Sequence, residues 1–406
     1  MATSSQLRST ARPQVTGISL SAPNPDAAVD FAVIVSAGCS RLMKLSINES
    51  DIRAEGMQQI ITAEWPLLHS LDLSMSYMSD AAMACLADFN WPLLQHLDLC
   101  FTNLGPPGLA ALVKGHLPHL RKLLLVQNRL GCKALSHLTK ADWPDLRSLS
   151  LTNNDLNKFT LQNWQFIDDD GLAAMSEILK CNWPKLEQLD INSTTIGAAA
   201  LAVLAQGHWP NFRSISLGDN DMRDLTSLVK ADWPNLAYLH LGMAMMTDHS
   251  IRELVKGNWP ALETLDLSDC HVSAAVFAVL SEAHWPCLKT LLLESNSTLD
   301  SIADVTQLTG MLSRANWPLL ERLNVSGRAL ELEALKLLIT CRWSGLCFLK
   351  FSCSRDEKVT FAQMCQSTWP LLVPTYSTDS WRHVDVTLSR SGVDQNIYVI
   401  SEDRSS

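Results

Sequence analysis

The chain has 406 residues, of which 47% are hydrophobic, and a formal net charge of −10. This composition predicts a globular protein with a sizeable core, built either as two or three ordinary domains or as one long repeat array. The negative charge argues against broad binding to nucleic acid or to anionic membranes, because both need a basic surface. No stretch approaches the ~20 consecutive apolar residues that would span a bilayer, so we expect no membrane insertion.

The first 38 residues precede the regular pattern of the chain. Residues 1–25 lack the apolar run of a secretory signal, and we expect a disordered tail there, with a transit peptide as the alternative. The apolar stretch DAAVDFAVIVSA that follows predicts an N-terminal cap over residues 26–38.

Residues 39–372 repeat a unit of 26 residues. Eleven of the 13 tryptophans stand at one position of this unit, and Cys39 and Leu117 mark the same position where Trp is missing. The intervals between marks are 26, 26, 26, 26, 40, 26, 24, 26, 26, 32, 26 and 26 residues. Apolar residues follow every mark by three residues, and all but the last mark by six and eight. This spacing predicts a short strand, because alternate side chains of a strand share a face.

The residues before each mark predict an amphipathic helix. In DAAMACLADFN, which precedes Trp91, the apolar residues recur at spacings of three and four. Proline follows the mark in 11 units, where it prevents the helix from continuing. One strand and one helix cannot bury their own apolar faces, so the units must stack, with the tryptophans as fillers between them.

Helices are wider than strands, about 10 Å against about 4.8 Å, so such a stack must curve. We therefore predict an α/β solenoid of about 13 repeats in the form of a curved horseshoe. The parallel β-sheet lines the concave face of this solenoid, and the helices form its convex face.

This pattern resembles the leucine-rich repeat superfamily, of the ribonuclease-inhibitor-like kind, over residues 39–372. The closest subtype is the 26-residue cysteine-containing repeat of F-box-associated proteins, whose unit reads G-C-P-x-L-x-x-L-x-L-x-x-C. The stretch AGCSRLMKLSI keeps the first Cys of this unit as Cys39, whereas GHWPNFRSISL and GNWPALETLDL have Trp in its place. Cys270 matches the later Cys, and in other units that position is occupied by Asn128, Asn154, Asn220 and Asn296.

The 40-residue unit contains an insertion, NKFTLQNWQFIDDDG, of about 14 extra residues before a helix that should start near Gly171. We predict a projecting loop at residues 157–170. Aromatic residues dominate binding energy at interfaces, so this loop is a candidate partner-binding segment, with local packing against the solenoid as the alternative. Its candidate residues are Phe159, Trp164, Phe166, Asp168, Asp169 and Asp170.

The end of the chain, residues 373–406, leaves the repeat. Two stretches there, HVDVTLS and NIYVIS, alternate like strands and predict a C-terminal cap and tail.

No catalytic motif accompanies the repeats. The chain contains no phosphate-binding loop, no H-E-x-x-H and no G-x-S-x-G, and its 11 cysteines match no common zinc spacing. We therefore predict no catalytic residues, no metal and no cofactor. Reduced thiols indicate an intracellular protein, cytoplasmic or alternatively nuclear.

The predicted concave face presents the residues five and seven positions after each mark. Acidic residues occupy these positions in the first two-thirds of the array, and basic residues occupy them at its end, so a partner would meet negative charge first and positive charge last. The alternative is that aspartate is a solvated filling of L-D-L-S without a binding role. The candidate partner-binding residues are Asp72, Asp98, Asp190, Tyr238, His240, Asp266, Arg322 and Lys350.

These observations favour a non-enzymatic scaffold that recognises a protein partner, with no nucleic acid, on its concave face. The resemblance implies a substrate-receptor subunit of a ubiquitin ligase as an alternative, although residues 1–38 contain no F-box. A regulator of a small GTPase or an enzyme inhibitor, like the Ran-activating protein and ribonuclease inhibitor, is a third candidate, whose longer repeats match less closely. The partner and the oligomeric state stay open.

Overall fold

The computed structural model describes residues 16–21, 40–63, 65–154, 156, 158–160, 165–271, 279–296, 315, 317–330, 336, 343–354, 356, 358–377 and 383–390. The chain forms two compact units. The first comprises Met1–Asp221 and Lys230–Leu236, and the second comprises Met222–Val229 and Ala237–Ser406.

The first unit contains a parallel sheet with one strand for each repeat and one further strand, β1 (Gly17–Ser21), that precedes the repeats. Its strands lie in the order β1, β2 (Lys44–Asn48), β4 (Ser70–Asp72), β6 (His96–Asp98), β7 (Lys122–Leu124), β8 (Ser148–Ser150), β11 (Gln188–Asp190) and β12 (Ser214–Ser216). Equivalent residues of successive repeats lie opposite each other, so Leu45 pairs with Leu71 and Leu71 with Leu97. These leucines are buried, which confirms the strand predicted from the leucine spacing.

Strand β1 corrects one prediction. It lies within residues 1–25, where we expected a disordered tail, and it pairs in parallel with β2. Ile18 is 2% exposed, so this short alternating stretch both buries a side chain and covers the backbone edge of the first repeat strand. The cap predicted over residues 26–38 lies outside the described residues.

The helices of the first unit are short. They are α1 (Ala54–Thr62), α2 (Asp80–Ala84), α3 (Pro106–Leu112), α4 (Gly131–Ala134), α5 (Asp168–Lys180) and α6 (Ala198–Leu204), and 3-10 helices continue α2 over Cys85–Asp88 and α4 over Leu135–Lys140. The residues of the 24-residue repeat are divided between the two units, and its helical segment is the 3-10 helix Leu228–Lys230. A strand and two turns leave room for about two helical turns in a unit of this length. Two two-residue strands, β3 (Asp51–Ile52) and β5 (Tyr77–Met78), pair beside the helices.

The insertion of the first unit is a hairpin followed directly by a helix. Strand β9 (Lys158–Thr160) pairs antiparallel with β10 (Gln165–Ile167), which places Phe159 opposite Phe166. Helix α5 begins at Asp168, three residues before the predicted start, so Asp168, Asp169 and Asp170 belong to its first turn and not to a loop. Acidic residues are favoured there by the helix dipole. Trp164 lies outside the described residues.

The second unit continues the same pattern. Its parallel strands are β13 (Tyr238–His240), β14 (Thr264–Asp266), β15 (Thr290–Leu292), β16 (Arg322–Leu330) and β17 (Phe348–Ser354), and its helices include α7 (Asp248–Leu254) and α8 (Lys358–Thr368).

The parallel order of the second unit ends at β17. Strand β19 (His383–Ser389) pairs antiparallel with β17, and β18 (Val373–Ser377) pairs antiparallel with β19 at the edge of the sheet. The stretch HVDVTLS is therefore a strand, as predicted, while NIYVIS lies outside the described residues. The last repeat carries Thr375 and Ser377 where the others carry apolar residues, and both are exposed, whereas β19 buries Val384, Val386 and Leu388.

The tryptophans and a buried polar position join successive repeats. All eleven tryptophan marks are at most 9% exposed, which confirms that they fill space in the core. Eleven residues after its mark, Asn128 donates from Nδ2 to the Leu99 carbonyl at 2.6 Å, and Cys270 donates from Sγ to the Leu241 carbonyl at 3.1 Å. Cys270 can therefore take the place that Asn has in other repeats, because both side chains donate to a carbonyl of the preceding repeat. The described residues therefore form an α/β leucine-rich repeat solenoid, as predicted.

Candidate protein interface

The first unit presents a sheet face made of side chains that do not build the core. On strands β2 to β12, the residues five and seven positions after each mark lie on the opposite face from the buried leucines. We call these positions the open face. Seven positions after the mark, it carries the half-buried residues Ser46, Asp72, Asp98, Leu124, Asp190 and Ser216, together with the buried Ser150.

The three aspartates of the open face share a local structural role. In each, Oδ1 accepts a hydrogen bond from the backbone N–H two residues later, at 2.9 Å for Asp72, 2.9 Å for Asp98 and 3.2 Å for Asp190. This bond closes the turn that follows the strand, which is a common use of aspartate. The recurrence of L-D-L-S thus has a structural cause of its own, and a binding role for these aspartates stays a prediction.

Asp72 and Asp98 lie opposite each other on neighbouring strands, whereas β7 and β8 separate Asp98 from Asp190. Like charges directly opposite in a sheet repel each other. Burial raises the pKa of Asp98 and the charge of Asp72 adds to this effect, while hydrogen bonds from Cys100 and the charge of Lys122 oppose it. Asp72 also accepts hydrogen bonds from the Ser46 hydroxyl at 3.1 Å and the Asn48 amide at 3.2 Å. The pair concentrates negative charge on two adjacent repeats.

An exposed apolar patch adjoins this pair. Met75 and Phe101, each three residues after one of the two aspartates, are 58% and 48% exposed, and Tyr77 is 59% exposed. We call these three residues the rim patch. Met75 and Phe101 both have a φ of 56°, a backbone conformation that is uncommon for bulky residues. Sequence reasoning missed the rim patch, although its signal was present: an apolar residue ten positions after two successive marks.

In the second unit, two predicted residues form a buried pair. Asp266 is 3% exposed, its Oδ2 lies 2.9 Å from Nδ1 of His240, and its Oδ1 accepts from the Ser268 N–H at 2.9 Å. The ring of Tyr238 stacks on that of His240. Burial disfavours ionisation of Asp266, but the hydrogen bonds and charge of His240 and the hydrogen bonds of Ser268 hold its pKa below the ordinary value. Asp266 presents almost no surface to a partner.

The predicted basic end of the face is also engaged within the second unit. Lys350 Nζ lies 3.1 Å from Glu294 Oε1 and 3.7 Å from Asp385 Oδ2. The Arg322 guanidinium lies over the Phe348 ring, 4.8 Å from its centroid. Two carboxylates therefore partly neutralise the positive charge of Lys350, while Arg322 lies against an aromatic ring. Neighbouring positions on this face are buried, namely Leu292, Asn324 and Phe348.

The described residues contain no group of three or more His, Cys, Asp or Glu side chains placed to hold a metal ion. No helix within the described ranges is both long and apolar enough to cross a membrane. A cavity of about 540 Å³ lies between α2 and α3, and its lining includes Met83, Ala84, Ala87, Ala110 and Ala111 with Asp80, Lys114 and Arg129 at its polar parts.

Comparison with known proteins gives a family match to one repeat. A family model described as leucine-rich repeat matches residues 92–113. No curated protein matches the sequence. Among 213 matching chains of solved structures is an internalin (inlF) from Listeria monocytogenes str. 4b F2365. It is 18% identical with a TM-score of 0.48, over 85% of this chain and 88% of that chain. The cysteine-containing subtype stays a prediction.

Proposed function

We propose that the protein is a non-enzymatic recognition scaffold that binds a protein partner on the open face of its first unit. Leucine-rich repeat solenoids generally serve as scaffolds for protein–protein interaction, because stacked repeats present an extended surface with variable positions. The observation that supports the proposal is the difference in burial between the middle residue of each strand and the residues on either side of it. The middle leucine is buried, while most residues beside it stay partly exposed and are not needed for the core.

The second unit supports placing the interface on the first. At corresponding positions it buries Asp266, Leu292 and Asn324, and side chains that are buried cannot contact a partner. The proposed interface therefore excludes Asp266 and keeps Asp72, Asp98 and Asp190 from the predicted set. The predicted role of the hairpin residues Phe159, Trp164 and Phe166 stays a prediction.

The experiment is affinity purification of the full chain, with the partners identified by mass spectrometry. The test variant combines Asp72→Asn, Asp98→Asn and Asp190→Asn, because Asn keeps the oxygen that closes each turn, removes the negative charge and puts an NH2 group in place of the second oxygen. The control combines Asp88→Asn, Asp142→Asn and Asp232→Asn, three exposed aspartates near the ends of the helical segments, with the same change in net charge.

We expect the control to retain the partners of the wild type and the test variant to lose them, with both unfolding at the temperature of the wild type. The proposal is wrong if the folded test variant keeps every partner. The same purification examines the alternatives, since a ubiquitin-ligase receptor would bring down the ligase adaptor and a GTPase regulator would bring down its GTPase. Both alternatives, and the cytoplasmic location, stay predictions.

A further inference from the structure

The rim patch exposes large apolar side chains that most of the chain keeps in its core. Met75, Tyr77 and Phe101 each expose about half of their surface or more, on two successive repeats. Apolar surface gains roughly 25 cal/mol for each Å² removed from water, so covering three such side chains is a substantial driving force. Grouped apolar exposure of this kind marks an interaction site more often than scattered single residues do.

The backbone that carries the patch is held in place. The N–H of Met75 donates to the Cys100 carbonyl at 2.8 Å, and the N–H of Phe101 donates to the Val126 carbonyl at 2.9 Å. Tyr77 lies in β5 and pairs with Asp51 of β3. A surface ordered before binding loses little conformational entropy on binding, which favours affinity.

The charge beside the patch indicates the chemistry of the partner. Asp72 and Asp98 precede Met75 and Phe101 by three residues, so the two carboxylates lie at the strand ends next to the patch. The next residue of the same row is the apolar Leu124, and the charge of Lys122, two residues earlier on the same strand, has the smallest of the effects on Asp98. A cation supplied by a partner would relieve the repulsion between the two carboxylates.

We propose that this surface binds a partner segment in which lysine or arginine stands next to large apolar side chains. The basic side chains contact Asp72 and Asp98, and the apolar side chains cover Met75, Tyr77 and Phe101. This inference rests on the proposed function and names the chemistry of the partner segment.

The first variant combines Met75→Asn with Phe101→Asn and tests the apolar part of the proposed binding surface. Asn tolerates a positive φ better than bulky residues do, so this variant should fold at least as well as the wild type. The matched control is Met243→Asn, because Met243 occupies the same repeat position in the second unit, is 60% exposed and has a φ of 59°. The second variant, Asp72→Asn with Asp98→Asn, tests the charges.

The probe is a library of short random peptides displayed on phage, selected on the immobilised full chain. We expect the wild type and the Met243→Asn control to enrich peptides with Lys or Arg beside Leu, Met, Phe or Trp. A peptide made from the best clone should bind each test variant at least about tenfold more weakly than the wild type by fluorescence anisotropy. Its affinity for the wild type should fall as salt is added.

The inference is overturned if the selection enriches no such composition, or if the peptide binds the test variants as tightly as the wild type. These outcomes are distinct from failure of the proposed function. A partner that is lost on the triple aspartate substitution but kept by the Met75→Asn, Phe101→Asn variant would support the open face and reject the basic–apolar segment.

Discussion

Residues that recur in this chain have structural roles before they have functional ones. Each aspartate seven positions after a mark closes a turn, and Asn128, Asn154, Asn220 and Asn296 bind the carbonyl of a preceding repeat. Recurrence alone is therefore a poor guide to binding. The rim patch is informative for the opposite reason, because the repeat itself does not require Met75 or Phe101 to be apolar.

A matched pair of tryptophans tests how the marks contribute to stability. Trp143 and Trp233 are both 1% exposed, and the indole N–H of Trp233 donates to the Gly207 carbonyl at 3.1 Å. The indole N–H of Trp143 has no hydrogen-bond partner among the described residues. Replacement by Phe removes the same volume at both sites but breaks a hydrogen bond only at Trp233.

We therefore expect Trp233→Phe to lower the free energy of unfolding by about 1–2 kcal/mol more than Trp143→Phe does. Urea denaturation of the full chain followed by far-ultraviolet circular dichroism measures the difference. Equal losses in the two variants would show that the hydrogen bond of Trp233 adds nothing to stability.

At the scale of elements, the leucine spacing predicted the strands well, because the alternation of apolar residues indicates both that a segment is a strand and which of its side chains are buried. Helix lengths were less predictable, since short helices end in 3-10 turns whose limits depend on packing. The start of α5 at Asp168 and the edge position of β18 were not predicted. Both depend on which neighbouring element the segment pairs with or packs against, and the local sequence pattern does not contain this information.

The hairpin β9–β10 offers a test at this scale. Strand β8 pairs directly with β11, so the sheet of the first unit runs past the insertion without a break. We expect replacement of residues 158–167 by a short Gly-Ser turn to leave the circular dichroism spectrum unchanged and to shift the Tm by no more than about 4 °C.

Affinity purification of this deletion variant then tests the predicted binding role of the hairpin. Loss of a partner without loss of stability would support that role, and retention of all partners would reject it. A large fall in Tm would instead show that the hairpin packs against the solenoid, which was the alternative interpretation.

At the scale of the whole molecule, the two units make different use of the same repeat positions. In the first unit the open face is partly exposed. In the second unit the corresponding side chains bind other residues of the same unit: His240 pairs with Asp266, and Lys350 pairs with Glu294. Changes at these positions should therefore affect binding in the first unit and stability in the second.

The substitution His240→Ala tests this division. It leaves the buried carboxylate of Asp266 without its imidazole partner, so we expect a loss of about 2–3 kcal/mol in the free energy of unfolding, measured by urea denaturation at neutral pH. Because the pKa of Asp266 is lowered in the folded protein, its contribution to stability is present above the pKa of an unfolded Asp, ~3.9, and is lost as the pH falls from that value through the lower pKa of the folded state.

We expect the same His240→Ala variant to retain the partners of the wild type at a temperature where it is folded. Loss of a partner by folded His240→Ala protein would place part of the interface on the second unit and contradict the division of roles.

The sequence by itself determined the repeat, its strands and helices and the burial of the tryptophans, because these follow from apolar spacing within a single unit of about 26 residues. Only the tertiary structure decided which polar side chains remain available to bind a partner. The pairing of His240 with Asp266 and of Lys350 with Glu294 joins residues 26 and 56 positions apart. Met75 lies near Phe101 because its N–H donates to the carbonyl of Cys100, in the next repeat. Availability for binding is a property of contacts between repeats, so no single repeat can reveal it.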